Sequence, residues 1–596
     1  MTLDLSPGRG ERFEWTQEVF RPSGAGTRCD SIHGLAPVAT FLRRSAAGTR
    51  NCISFTPSMS AGFSWNQRNT GGHRPPLQSA THFGIINALI AMRHRFLLAA
   101  SFLYLVVADL IWIARDTRPP FWDMAEHQSS ALRIYDAFAS QGVRAISDVP
   151  LFTLPYPPFY QSVVAAFYAI FGRSVDVAQS ANLLAIGILL LATYGLGRTV
   201  LKPIPAAAAA IMVNFYPYLL WLSRETLIDY WLTSMVALAM WCLVRTNDFS
   251  DRKRSIVFGI VCGLGMLTKW TFVLFVGLPA LWAARKNVKN AVIAAGTAAV
   301  LAGYWYVHAI GALAQLFLIN SAGAVNEGDP ERLSLQAIVF YARTLEGYQL
   351  FLPLFVAFIA GAILLARNFD RAWMPMVLWI AGGWLGLMLF QNKDPRYSAP
   401  LLPAVALITA QIFQRKEILV AVLMPFLLFQ HYLVSFGVPR LPPAVVLAKG
   451  PDGPIQYNWN SYTQRYFDLW GPPVREDWQI RRVLDRVSTP NGHPVRLGMV
   501  PDIPRFDIFA FQFYIRLWKF PVTVNRLITF DENLIANNDY ILVSEKDKGF
   551  EPGSFFTADL PNINQYILGR PESFHIVEWF PLPNGDVIRL YKVERS

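Results

Sequence analysis

The chain has 596 residues, 53% of them hydrophobic and only 16% charged, with a positive mean hydropathy. That excludes an ordinary soluble globular protein and indicates a polytopic membrane protein. The formal net charge of +12 does not make it a nucleic-acid binder: half of the excess lies in residues 1–95 and much of the rest in short loops between apolar runs, where it is an orientation signal.

Residues 1–91 are rich in Gly, Ser, Pro and Arg without a sustained period, so a disordered leader is expected there. Met92 is followed by "RHRFLLAASFLYLVVADLIWIA", a basic stub and an apolar span, so translation is expected to start at Met92, with 1–91 a gene-model artefact. Four cysteines, Cys29 and Cys52 in the leader and Cys242 and Cys262 in apolar segments, do not form a disulfide framework. Bilayer-length apolar stretches are predicted at 96–114, 177–200, 204–222, 226–244, 255–269, 270–285, 291–309, 350–367, 372–390, 397–414 and 417–437. The run "PPFYQSVVAAFYAIFGRS" (157–174) is too short to cross and is predicted to be interfacial or re-entrant. With that choice every basic cluster falls on the cytoplasmic side: Arg198 and Lys202; Arg245 and 252–254; Arg285, Lys286 and Lys289; Arg367 and Arg371; Arg415 and Lys416. Eleven spans then carry 92–439, and a tail of 440–596 emerges on the outer face. Its strand-like runs at 495–500, 540–545, 574–580 and 587–593 and helical patterning at 475–487 predict a small α/β domain.

The first outer loop begins "PPFWDMAEH" (119–127). Ala131, Leu132, Tyr135, Phe138 and Ala139 then recur at helical spacing, predicting an amphipathic helix lying on the outer membrane surface with Asp123 near its N-terminus. Asp123 read alone could simply be an N-cap. Other ionisable groups face the same side: Arg224, Glu225 and Asp229 in "SRETLIDYWL", Lys269 in "LTKW", and Lys393, Asp394, Arg396 and Tyr397 in "NKDPRYSAPLLP". Each cation alone could be snorkelling, and His127 and His308 each alone could be surface hydrogen-bonding residues. Together, cations on a side where orientation rules disfavour them, beside carboxylates, describe an anion site next to a general base. No nucleotide loop, HExxH or CxxC occurs in the chain, and the four ligands of a metal site are not apparent.

These motifs resemble the integral-membrane GT-C glycosyltransferases, specifically the branch of protein O-mannosyltransferases and aminoarabinose lipid A transferases (glycosyltransferase family 39). The likeness covers about 96–415 and rests on "FWDMAEH", "YPPFYQSVVAAFYAIFG" (156–172), "SRETLIDYWLTSMVALAMWCL" (223–243), "GLGMLTKW" (263–270) and "KDPRYSAPLLP" (393–403), in that order. The resemblance implies a GT-C helical membrane domain and transfer of a sugar from a polyprenyl-phosphate donor to a glycan, lipid or protein acceptor. It places the activity at the outer face of a bacterial cytoplasmic membrane, with the tail on the same side. It makes Asp123 catalytic, matches Asp229 to a second outer-loop carboxylate and matches Lys269, Lys393, Arg396 and Tyr397 to positions associated with the lipid phosphate; beside these, Glu126, His127, Tyr156 and Arg224 are expected to bind substrate. Many members have Asp-Glu adjacent, whereas here Met124 follows Asp123 and the next acid is Glu126. No cofactor is required, and a divalent metal is compatible with the site without being indicated by it. The alternatives are a lipid-linked sugar flippase or secondary transporter, whose binding groups would lie nearer the midplane between internal repeats, and a noncatalytic outer-face scaffold.

Overall fold

A computed structural model describes residues 78–326, 328–437, 444–450, 453–458, 471–488, 493–545 and 560–594, with side chains from His94 onward except in 438–470. The expectations for residues 1–77, Cys29 and Cys52 included, lie outside the described residues. The first helix, α1 (Gln78–Ile113), already begins ahead of Met92.

The eleven apolar stretches are helices or strings of helical turns. After α2 (Trp122–Gln141), α3 (Val149–Thr153), α4 (Phe159–Phe171) and α5 (Val175–Ser180), the bundle continues with α6 (Asn182–Gly197), α7 (Pro203–Asn214), α8 (Pro217–Leu222) and α9 (Ile228–Arg245). It then runs through α10 (Arg252–Met266), α11 (Phe272–Ala284), α12 (Val288–Asn326), α13 (Leu335–Thr344), α14 (Phe351–Arg367), α15 (Met374–Met388), α16 (Leu402–Thr409) and α17 (Leu419–Phe436). Among the described residues, six helical stretches are long and apolar enough to cross a membrane: His94–Ile113, Val175–Gly197, Ile228–Arg245, Val288–Asn326, Leu335–Arg367 and Leu419–Phe436. Two of the other stretches, 204–222 and 397–414, are divided by prolines. Pro217 starts a new helix after Asn214, and Pro395 and Pro400 tighten Pro395–Leu401 into a 3-10 turn ahead of α16. The 157–174 run is the 13-residue α4, as short as its apolar content predicts.

Helix packing relies on small residues where backbones meet. α10 lies against α12, and a methyl group at Gly259 would run into the Ala294 carbonyl and the Thr297 side chain. Two expectations are corrected. The span predicted at 291–309 does not end there: α12 continues to Asn326, and its 39 residues reach roughly 58 Å, well beyond a hydrocarbon core of about 30 Å. α2 is amphipathic but does not simply lie on the membrane surface. It packs between α4 and a helix of the tail, so that its polar Gln128, Ser129 and Ser130 are buried along with Ala131 and Leu132.

The tail holds a hairpin, β1 (Ala444–Gly450) with β2 (Gly453–Asn458), and a five-stranded mixed sheet. Its strands, β3 (Val495–Met499), β4 (Val522–Arg526), β5 (Tyr540–Ser544), β6 (Phe574–Pro581) and β7 (Val587–Val593), lie in the order β4-β3-β5-β7-β6, with the β3 pairings parallel and those of β7 antiparallel. Alternation sends Leu497, Met499, Leu542 and Leu590 to one core, and Ile541, Val543, Tyr591 and Val593 to another. Helices α18 (Ile480–Val487) and α19 (Ile508–Trp518) cover the first, and α21 (Leu560–Leu568), which follows the short α20 (Glu532–Ala536), covers the second. The four predicted strands are present, and of the helical patterning at 475–487 only Ile480–Val487 is helix; β4 and the hairpin are additional.

Candidate active site

Five backbone segments converge at the helix ends remote from the basic loops. α9 runs from Asp229 in its first turn to Arg245 in its last, roughly 24 Å. The Lys269 turn likewise joins the ends of α10 and α11 that are opposite Arg252 and Arg285.

Asp123 occupies the first turn of α2 and is 7% exposed. Its two oxygens are separately held: the Tyr156 hydroxyl donates to Oδ1 at 2.9 Å and Arg396 Nη1 donates to Oδ2 at 3.0 Å. Tyr156 is placed by the turn leading into α4, whose first amide, Phe159 N–H, is bonded to the Leu267 carbonyl at 2.9 Å just before Lys269. Arg396 is oriented by Asp394, which pairs with Nε at 3.1 Å and accepts the Arg396 amide at 2.9 Å. Gln349 secures the same turn through the Pro395 carbonyl and the Ser398 hydroxyl. The first turn of α2 is fixed by Thr226, whose hydroxyl donates to the Met124 carbonyl at 3.0 Å and accepts from Gln128.

Beside this unit, Lys269 Nζ donates to Asp229 Oδ1 at 2.7 Å and sits 4.9 Å from the Tyr397 ring centre, with the Arg396 guanidinium 5.7 Å from the same ring. Lys269 and Asp229 both lie within electrostatic reach of Asp123. Burial pushes the Asp123 carboxyl from 3.8 up to about 6, against the opposing pull of Arg396, the Tyr156 hydroxyl and Lys269. His127 stacks edge-on against Tyr156 at 4.8 Å and meets Gln161 through Nδ1 at 3.1 Å. Burial, with Lys269 and Arg396 nearby, lowers its pKa to about 3, so the imidazole is neutral. Among the described residues, His127 Nε2, Asp229 Oδ2 and Tyr160 Oη are buried without a hydrogen-bond partner.

Of the substrate-binding residues expected from sequence, the structure thus brings His127, Tyr156, Asp229, Lys269, Arg396 and Tyr397 together around Asp123. Three stand elsewhere. Arg224 is committed to a separate buried network, with Nε on Asp109 Oδ1 at 2.8 Å and Nη2 near His431 Nε2 and Ser435 Oγ, so its charge is matched by a carboxylate inside α1. Glu126 pairs with Arg133 and Ser130 on its own helix. Lys393 turns its ammonium to the Phe390 carbonyl and gives its amide to Asp329, which shapes the turn without reaching Asp123. Asp109, Asp394 and Gln161 carry roles the sequence reading did not assign. Asp109 was visible as an acid within an otherwise apolar span, itself a signal of a buried partner. Among the described residues, no group of three or more His, Cys, Asp or Glu side chains is arranged to hold a metal ion.

The helical bundle, the helices α2–α4 between its first two spans and the tail sheet together make a multi-pass membrane protein of the GT-C glycosyltransferase fold. Residues 155–307 match the family described as dolichyl-phosphate-mannose-protein mannosyltransferase, which bears out the resemblance drawn from sequence. Among solved structures, ArnT from Cupriavidus metallidurans bound to undecaprenyl phosphate is similar at a TM-score of 0.52 and 11% identity, covering 83% of this chain and 97% of that one. Its apo state gives 0.53 and 12%, with 84% and 98% covered. The Archaeoglobus fulgidus oligosaccharyltransferase tethered to an acceptor peptide gives 0.45 and 12%, with 84% and 74% covered. No curated protein matches. None of these findings supports the flippase alternative.

Proposed function

We propose that the protein transfers a sugar from a polyprenyl-phosphate donor to an acceptor hydroxyl or amine at the outer face of a bacterial cytoplasmic membrane, inverting the anomeric carbon. The observation that carries this reading is the buried Asp123 carboxylate held between Tyr156 and Arg396, with Lys269 and Asp229 beside it. The undecaprenyl phosphate bound by ArnT, on the same fold, supports a lipid phosphate as the donor's leaving group.

In the proposed step the acceptor O–H or N–H lies against Asp123, which takes its proton as the heteroatom bonds to the anomeric carbon. The bond from that carbon to the phosphate oxygen breaks, and its electron pair leaves on polyprenyl phosphate. Lys269 and Arg396 stabilise the departing charge from a site that excludes most water. A single displacement gives inversion, by analogy with glycosidase stereochemistry. His127 Nε2, Asp229 Oδ2 and Tyr160 Oη offer buried polar atoms that sugar hydroxyls, which both donate and accept, are suited to satisfy. Outer-face action is supported by the basic loops at the opposite helix ends.

The test is incubation of the purified protein with radiolabelled polyprenyl-phosphate sugars and membrane extract, comparing the natural chain with Asp123→Asn. Label moving to an acceptor only with the natural chain supports the reading. Equal transfer by both removes Asp123 from the mechanism, and no transfer from any donor by folded protein overturns the transferase assignment.

A further inference from the structure

The residue before the proposed base is gripped from the tail. Trp122 opens α2 with φ +43°, a left-handed conformation uncommon for a bulky side chain, and its own N-cap, Phe121, supplies no side-chain bond to the helix. The orphan Trp122 N–H is instead accepted by Asp507 Oδ1 at 3.3 Å. The same Oδ1 caps α19, accepting from Phe509 at 2.9 Å and Ala510 at 3.2 Å, so one tail carboxylate serves the starts of two helices in two domains. The Trp122 indole N–H donates to Asp502 Oδ1 at 2.9 Å, and Asp502 is paired in turn with Arg526. Arg505 donates to the Pro119 carbonyl at 3.1 Å and covers the Phe121 ring at 5.0 Å. Three residues of one tail loop therefore fix three residues of "PPFW", immediately ahead of Asp123.

We propose that the tail domain is a positioning module for the active site: Asp507 and Asp502, acting through Trp122, hold Asp123 in its buried orientation between Tyr156 and Arg396. Its kinetic consequences rest on the transferase reading; its structural consequence does not. Trp122 cannot keep its strained backbone once the Asp507 bond is lost, and relaxation there rotates the first turn of α2. The groups facing Asp123 are Tyr156, Arg396, Lys269 and Asp229, with neutral His127 behind Tyr156. Those facing Asp507 are Asp502 and the Arg526 paired with it. Water admitted by a loosened clasp lets Asp123 ionise more readily.

The experiment compares Asp507→Ala, Asp507→Asn and Trp122→Phe in the full chain. Asp507→Asn keeps an acceptor for the Trp122 amide and is the conservative rescue; Trp122→Phe removes the indole bond to Asp502 while keeping the backbone amide that Asp507 accepts. Expected for Asp507→Ala is a fall in kcat of about 10- to 100-fold with little change in donor KM. Its acid limb moves down by about half to one pH unit, and Asp507→Asn restores both. Independently of activity, Asp123→Cys is labelled with a membrane-impermeant maleimide and quantified on the peptide carrying residue 123. Labelling several-fold faster with Asp507→Ala or Trp122→Phe supports the proposal. Unchanged labelling in both overturns it, as does an unshifted acid limb in an active variant. Faster labelling with no transfer by the parent chain upholds the clasp and rejects the transferase reading.

Discussion

At the level of single residues, Asp123 combines burial with two directed partners, and its titration separates their effects. Its native pKa of about 6 lies above the ordinary 3.8, so the folded chain keeps the proton over a range where the unfolded chain has released it. Raising the pH through that window lowers the folding free energy contributed by this group while generating the proposed base. A profile of kcat/KM should therefore rise with unit slope to an apparent pKa near 6 and then level, with the limb of kcat displaced upward because the bound donor's phosphate adds a negative charge nearby. A limb in kcat at or below that of kcat/KM would contradict the phosphate's placement. Tyr156→Phe removes a hydrogen bond that favours the ionised carboxylate, so its limb should move to higher pH, with the protein's melting temperature nearly unchanged. Asp123→Asn should reduce transfer by about 10²- to 10⁴-fold, the range of a general base.

At the level of elements, the site depends on helix ends and tight turns meeting. Lys269–Asp229 joins the α10–α11 turn to the start of α9, with both side chains at most 9% exposed. Removing one partner leaves a buried charge, so Asp229→Asn or Lys269→Met alone should destabilise the bundle by about 3–5 kcal/mol, whereas the double change to apolar residues restores most of that stability. Detergent-solubilised thermal melts read both outcomes; transfer by the double variant at the natural rate would remove this pair from the chemistry. The elements themselves were legible because apolar run length and basic loops are local properties of the chain: α4 is short because its apolar run is short, and Asp229 and Lys269 sit at helix ends that orientation alone specifies. What was not legible is the choice among partners. Arg224 and Lys269 look alike in sequence, each at an outer helix end, but Arg224 meets Asp109 from α1 and Lys269 meets Asp229. Glu126 finds Arg133 seven residues on, along its own helix. Asp507 caps the apolar "IFAFQFYIRLW" locally, a role the sequence analysis did not assign, and its second client, the Trp122 amide 385 residues earlier, exists only after the domains dock.

Across the whole molecule, the tail meets the membrane domain along a continuous line. The Gly471 carbonyl accepts from the Trp112 indole at 3.2 Å, the Thr117 and Val474 backbones bond at 2.9 Å, and the Arg505–Asp507 loop finishes at Trp122. Burial and the neighbouring Asp502 charge push Asp507 up to about 8, against the pull of its three backbone donors. Because that native pKa exceeds the ordinary carboxyl value, stability from this group declines as pH rises from about 4 to 8. Asp507→Asn, which has no proton to release, should flatten that part of the stability–pH curve in chemical denaturation; an unchanged slope would show that Asp507 titrates normally.

The Asp109–Arg224–His431 network gives the chain a timetable. The guanidinium donates to His431 Nε2, which leaves the ring proton on Nδ1 for Tyr104. Asp109 and Arg224 are synthesised early and can pair as soon as α8 has formed, but His431 and Ser435 arrive on α17, some two hundred residues later. Until then part of the guanidinium's hydrogen-bonding capacity has no protein acceptor, so the bundle cannot close around it before the ribosome has nearly finished the membrane domain. Nascent chains stalled ahead of Leu419 should be cut by protease between α8 and α9 far more readily than chains stalled beyond Phe436.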